Sequence, residues 1–259
     1  MAEYQFVQLQ VVNRVGWLNY AKPPINAFNR QMVEEVHLGL KQYMADGEVR
    51  VIVLASALER FFSAGADIAG FQDIGEAGMR DWVQLVHGVA RTLRHSGKPL
   101  LAAINGTAVG GGLEMTLHCD LRFAATDARL GQPEIAINFI PPIGATQALA
   151  RLIGRPRAIR MLYDGALLPA QEAFEIGLVD SLVAPDELRA EVQAYGEELA
   201  SKPPEALAAI RQSVTLGGGM NFEDGLAMEA DFVSSLAGTD NFNEGVSAFI
   251  EKRAPQWKD

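Results

Sequence analysis

Two glutamates carry the clearest chemical signal in the chain. Glu114 ends the run Gly110-Gly111-Gly112-Leu113-Glu114, and Glu134 ends Gly131-Gln132-Pro133-Glu134. A pair of carboxyls in neighbouring glycine- and proline-marked segments suits a reacting carbon flanked by an acid and a base. The glycine run adds unobstructed main-chain N–H groups at the start of the apolar stretch Leu113 to Cys119, and a helix N-terminus of that kind favours developing negative charge. A third segment, Phe62-Ser63-Ala64-Gly65-Ala66-Asp67-Ile68, is built of small residues that let the backbone approach a ligand. One N–H from this loop and one from the Gly110 to Gly112 turn can converge on a single carbonyl oxygen as an oxyanion hole. The same loop also reads as a tight turn that holds no ligand.

Each carboxyl has a plainer alternative. Glu114 lies about one helical turn beyond Gly111, where a carboxylate can merely offset the helix dipole. Its neighbours Leu113, Met115 and Leu117 are apolar, so burial there implies a functional or paired group, because an idle buried charge is costly. Glu134 precedes Ile135, Ala136 and Ile137, a setting that raises a carboxyl from its usual value of about 4.3 toward the working range of a proton-transfer group. Its alternative is an ion pair with Arg122 or Arg151.

The elements that must position these groups alternate between sheet and helix. Phe6 to Val11 and Val15 to Leu18 read as a hairpin about Asn13-Arg14. Met32, Val33, Val36, Leu40 and Tyr43 recur at helical spacing, and Val51 to Leu54 reads as a fully buried strand. A helix carrying Trp82, Leu85, Val86, Val89 and Leu93 ends near Ser96-Gly97; Pro99 introduces a strand over Leu100 to Ile104, with the glycine run directly after it. Leu121 to Ala124, Leu130 and Val179 to Val183 are further strand candidates, with helices over Ala145 to Ile153, Ala158 to Leu162 and Ala170 to Ile176. From Glu187 the chain is helix-compatible, broken at Pro203-Pro204, Gly217 to Gly219 and Gly238 to Asp240. The ligand loop follows a strand's C-terminal end, a common place for sites in α/β folds.

Composition narrows the class. A chain of 259 residues that is 49% hydrophobic supports one large core. Its formal charge of −10 opposes a nucleic-acid surface. The single cysteine, Cys119, sits in an apolar run and reads as a small buried hydrophobe in a reducing compartment. The stretch Met1 to Gln5 has neither a basic nor an apolar leader pattern, and no apolar run approaches the ~18 residues of a membrane span. The expectation is a cytoplasmic protein with no membrane partner. His37, His87, His95 and His118 lack ligand spacing, so no metal is expected. The G-x-G-x-x-G and P-loop patterns are absent, and Ser63 lacks a G-x-S-x-G frame and a placed histidine.

Ser63 to Asp67, Ala103-Ile104-Asn105-Gly106, Val109 to Glu114, Cys119-Asp120 and Gly131 to Ile135 together resemble the enoyl-CoA hydratase/isomerase (crotonase) family in order and spacing. The likeness runs from Asn26-Ala27-Phe28 through Ala173 to Val179 to Phe249-Ile250-Glu251-Lys252-Arg253. The resemblance implies an α/β crotonase-like (ClpP/crotonase) superhelix of repeated ββα units with a C-terminal helical layer. It divides the chain into residues 1–200, a core with the CoA-thioester site, and 201–259, a helical oligomerisation region. It implies a homotrimer or a hexamer built as a dimer of trimers. By the same resemblance Ala66 and Gly111 are the oxyanion-hole donors. Ala64, Ala66, Asp67, Ile68, Ala69, Gly110, Gly111, Pro133 and Pro142 contact the CoA thioester. Coenzyme A belongs to the substrate, and no separate cofactor is implied. Glu114 and Glu134 match the catalytic pair of the hydratases, Glu114 activating water and Glu134 protonating the α-carbon.

Four positions depart from the family pattern. Pro142 stands where the hydratases usually carry glycine, and it has no N–H to donate. Asn138 and Phe139 replace smaller residues, which points to an altered acyl pocket for a branched, cyclic or aromatic chain. Ala69 replaces a frequent lysine, leaving Lys22, Lys252 and Arg253 as candidate phosphate contacts. Competing activities are double-bond isomerisation through Glu134 alone, or another thioester reaction such as hydrolysis or hydration with carbon–carbon cleavage. The −10 charge opposes an RNA-binding member, and the lack of a triad opposes a peptidase on a similar fold.

Overall fold

A tight hairpin opens the described chain. Strands β1 (Val7–Val12) and β2 (Val15–Tyr20) pair antiparallel across Asn13 and Arg14, at φ 46° and 70°, the left-handed pair that a two-residue turn between twisted strands requires. The computed structural model describes residues 4–258, so Met1 to Glu3 of the N-terminal reading lie outside the described residues. Helix α1 (Arg30–Ala45) follows, its first turn capped by the Asn29 side chain accepting from the Met32 N–H at 2.9 Å. Next come β3 (Val51–Ser56), β4 (Phe61–Ser63), a 3-10 turn over Ile68–Phe71 and α2 (Gly75–Arg94). The third unit is β5 (Leu100–Ile104), β6 (Thr107–Val109) and α3 (Gly111–Thr116). The fourth is β7 (Leu121–Ala125), β8 (Arg129–Gly131), a 3-10 turn over Pro133–Ile137, and helices α4 (Ala145–Leu152) and α5 (Arg155–Asp164).

The first strand of each later pair enters a sheet of six in the order β1-β2-β3-β5-β7-β10, where β10 is Ser181–Val183. The second enters a sheet of four, β4-β6-β8-β9, with β9 at Leu167–Pro169. Repeated ββα units wound about two sheets are the crotonase-like architecture expected from the resemblance. The expectation that the glycine run follows β5 directly is corrected: β6 intervenes and carries the chain into the second sheet before Gly110.

Every residue of β2 and β5 is buried, as parallel strands covered on both faces must be. Burying side chains such as Leu54, Leu100 and Ile104 contributes roughly 1.5–3 kcal/mol each. After α6 (Ala170–Glu175), α7 (Leu188–Ala200) packs on β2, β3, β5 and β7. The helices α8 (Pro204–Gly217), α9 (Phe222–Ala237) and α10 (Asp240–Glu251) complete the chain, broken where glycine and proline were read. Arg211 of α8 ties that layer to the core, pairing with Asp120 at 2.9 Å and donating to the carbonyls of Leu93 and Ser96. No helix among the described residues is long and apolar enough to cross a membrane.

Candidate active site

The small-residue loop is held from below by buried polar groups. Asn26, fully buried at φ 51°, donates through Nδ2 to Ser56 Oγ at 2.8 Å and to the Phe62 carbonyl at 3.0 Å. The Ser63 hydroxyl donates to the Asn26 carbonyl at 2.8 Å and accepts from the Gly65 N–H at 3.1 Å. Ser63 is therefore a loop fastener at 0% exposure. Phe28 then fixes the direction of the next amides. Its N–H donates to the Gly65 carbonyl at 2.7 Å and its carbonyl accepts from the Asp67 N–H at 2.9 Å, so the intervening Ala66 N–H faces the other way.

The glycine turn meets this loop closely. A Cβ on Gly65, at φ 82°, would lie 2.9 Å from the Val109 carbonyl and 3.2 Å from the Gly111 nitrogen. Gly111 opens α3, where an amide has no intrahelical acceptor. Among the described residues neither Ala66 N–H nor Gly111 N–H has a protein acceptor, and both residues line one cleft of about 410 Å³. The two amides thus lack a protein acceptor and belong to residues that line one cleft, which suits a developing oxyanion.

Glu114 comes from the first turn of α3 and is 0% exposed. Its Oε1 accepts from the Ile143 N–H at 2.7 Å and the Ala145 N–H at 3.0 Å, while Oε2 is buried without a partner. Burial pushes its pKa up to about 8; the Ala145 N–H opposes the rise and the Glu134 charge adds to it. Glu134 sits in the Pro133–Ile137 turn against the bare face of Gly110. Burial raises it to about 7, opposed by its own N–H. Gln132, at 1% exposure, donates to both oxygens at 3.1 and 3.2 Å when its amide nitrogen faces the carboxylate; the opposite orientation sets oxygen against oxygen.

Neither arginine offered as a partner for Glu134 takes that role. Arg122 pairs with Asp180 at 2.6 Å and Arg151 bonds to Gln147. The apolar neighbours Ile135 and Ile137 are about half exposed, at 50% and 49%, so the burial of Glu134 comes from the cleft walls. Of the residues read from sequence, Ala64, Ala66, Asp67, Ile68, Gly110, Gly111, Pro133, Glu134 and Pro142 line the cleft. Ala69 is exposed and outside it, and Glu114 lies behind the wall to which Ile143 contributes. Pro142 donates nothing, yet the following Ile143 and Ala145 amides hold Glu114. Sequence reasoning missed Gln132 and the fastening role of Asn26, since both act through contacts that only the folded chain makes.

The far part of the cleft is aromatic. Phe71 meets Trp82 edge to face at 5.3 Å and Phe139 at 6.1 Å. Among the described residues no lysine, arginine or histidine lines the cleft. At its rim Lys22 Nζ reaches Asp67 Oδ2 at 3.1 Å and the Ala27 carbonyl at 2.8 Å. Arg253 is engaged by Glu244 and Glu251.

The fold agrees with relationships found along nearly the whole chain. Residues 12–259 match the family model described as enoyl-CoA hydratase/isomerase, and the chain belongs to that family. Crotonyl-CoA hydratase of Syntrophomonas wolfei is 33% identical over 251 residues, 96% of each chain. (E)-benzylidenesuccinyl-CoA hydratase of Thauera aromatica is 33% identical over 253 residues, covering 97% of this chain and 98% of the relative. The solved structure of DspI from Pseudomonas aeruginosa superposes with a TM-score of 0.95 at 29% identity, covering 100% of this chain and 98% of that one.

Proposed function

We propose that the protein is an enoyl-CoA hydratase, a lyase that adds water across the 2,3 double bond of an acyl-CoA thioester. The observation that carries this reading is Glu134 together with two main-chain N–H groups that lack a protein acceptor in one cleft, with the buried carboxyl of Glu114 behind its Ile143 wall. In this account Ala66 and Gly111 donate to the thioester oxygen. A water between the carboxyls loses its proton to Glu114 as its oxygen bonds the β-carbon. The double-bond electrons move through the α-carbon to the thioester oxygen, and the enolate then takes a proton from Glu134. Transfer of a proton from Glu114 to Glu134 resets the pair. General acid–base steps of this kind contribute roughly 10²–10⁴-fold each, and one oxyanion donor about 3 kcal/mol.

The proton must begin on Glu134. Burial lifts Glu114 to about 8 and Glu134 to about 7, which holds both carboxyls where they can exchange a proton near neutral pH. These sites titrate as a pair. The Ile143 and Ala145 amides favour the Glu114 carboxylate, the form that takes the proton of the water.

The acyl group is assigned as uncharged, because the lining offers aromatic rings and two acids but no cation. Coenzyme A enters with the substrate, its contacts provided by the Ala64 to Ile68 loop with Lys22 at the rim. Residues 201–259 are assigned to assembly as a trimer or a dimer of trimers, supported by the exposure of Phe222 (77%), Phe249 (87%) and Ile250 (73%). A cytoplasmic setting is assigned, supported by the lone, buried Cys119 thiol.

The experiment is loss of conjugated-thioester absorbance from crotonyl-CoA, run beside double-bond migration in a 3-enoyl-CoA. Hydration abolished by Glu114→Gln supports the reading. Migration that survives Glu114→Gln, with no hydration by the wild type, would make the protein an isomerase using Glu134 alone.

A further inference from the structure

Helix α3 and the turn after it present two side chains to the strap over Glu114. Glu114 and His118 are four residues apart, so both project from the same side of this segment. Ile143 lies between them. Its N–H donates to Glu114 Oε1 at 2.7 Å, and its carbonyl oxygen lies 2.7 Å from His118 Nε2. A carbonyl only accepts, so His118 carries its proton on Nε2 and donates. The ring is 7% exposed, and its Nδ1 is buried without a partner. Its one ring hydrogen bond is therefore the one to Ile143. Burial, with Arg94 of α2 and Arg211 of α8 nearby, holds the imidazole down to about 4, so the ring is neutral in the working range.

The strap is also held by the buried Ile143 side chain and by the Gly144 carbonyl, which accepts from the Gln147 and Ala148 N–H groups. Pro142 has no N–H, and Gly144 turns the chain at φ 103° with its open face toward the imidazole, where a Cβ would lie 3.5 Å from Cε1. The main-chain groups of Ile143 are thus gripped at both ends from one short segment, by Glu114 and by His118. A buried polar ring with a single bond is costly to keep unless that bond fixes something.

We propose that His118 is a positioning residue for the hydration: by holding the Ile143 carbonyl it keeps the Ile143 and Ala145 amides on Glu114 Oε1, leaving Oε2 for the reacting water. The inference rests on the hydratase reading. The charged groups concerned are Glu134, which faces Glu114 from the Pro133–Ile137 turn, and Arg94, Arg211 and the Arg211-paired Asp120 around His118.

The test compares His118→Phe, which keeps a ring and removes the donor, with His118→Gln, which returns an amide N–H near the Nε2 position. The first readout is the titration of the ¹³C-labelled Glu114 carboxyl, assigned with Glu114→Gln, and it needs no turnover. His118→Phe is expected to raise that midpoint by at least about half a pH unit, since released amides no longer favour the carboxylate. Its kcat on crotonyl-CoA is expected to fall about tenfold with KM within about twofold, the pattern of a group whose effect appears in the transition state. His118→Gln restores both toward wild type. An unchanged titration and kcat in His118→Phe overturns the proposal, as does equal impairment by Phe and Gln, which marks a packing role. If the wild type hydrates nothing, the hydratase reading fails while the titration still decides the role of His118. Should His118→Phe not fold, His118→Asn, a shorter amide that falls short of Ile143, takes its place against His118→Gln.

Discussion

Gly110 and Glu134 stand so close that a Cβ on Gly110 would lie 2.8 Å from Glu134 Oε1. Gly110 also holds φ 52°, where an L side chain is strained. Gly110→Ala is expected to displace the carboxyl and cut kcat/KM for hydration by about 10²-fold, with a loss of roughly 1–3 kcal/mol in urea unfolding. Wild-type kcat/KM in this variant would remove Glu134 from the reaction.

Stability should fall as pH rises through the range that Glu114 spans. Its ordinary value is 4.5 and burial in the folded protein lifts it to about 8, so between these values the folded chain holds more protons than the unfolded one. Stability from this group is full below 4.5, declines with pH, and levels off once the folded carboxyl has ionised. Glu114→Gln should therefore melt progressively higher relative to wild type from about pH 5 to about pH 9, the gap widening by on the order of 5 °C. A pH-independent gap in calorimetry would mean that Glu114 is not a strained buried acid.

Gln132 is expected to tune Glu134. Replacing it by leucine keeps the bulk and removes the N–H donation at 3.1 and 3.2 Å, so the carboxyl should ionise at higher pH than in the wild type, where burial already takes it to about 7. The kcat–pH profile of Gln132→Leu should shift on the limb that Glu134 governs, with kcat about tenfold lower. An unshifted profile would leave Gln132 a purely structural amide.

Much of this was legible along the chain, and the failures have a common cause. The α1 stripe of Met32, Val36, Leu40 and Tyr43 and the buried runs of β3 and β5 are local patterns of sufficient length to show a period. Strands β4, β6 and β9 have only three residues each, too few to show one, and of the second sheet only Leu130 in β8 was read. The glutamates were legible because glycine and proline mark their backbones. Gln132, Asn26 and His118 were not, since each acts on a main-chain or carboxyl group brought to it by folding. His118 carried one usable signal, its four-residue spacing from Glu114.

The acyl lining makes a prediction about charge. A terminal carboxylate on the acyl chain would enter a cleft holding Asp67 and Glu134 and no cation, at a desolvation cost without compensation. Glutaconyl-CoA should be hydrated with kcat/KM at least about 10²-fold below that of 2-hexenoyl-CoA. Comparable values would require a basic group brought in by assembly.

Glu114 and Glu134 are expected to act on one water as a unit, and the double variant decides whether they do. Crotonyl-CoA hydration should fall by at least about 10²-fold in Glu114→Gln and in Glu134→Gln. In the pair together it should fall little further, because groups that act as one are strongly non-additive. Losses that multiply in the double variant, or a single variant that hydrates at the wild-type rate, would contradict it.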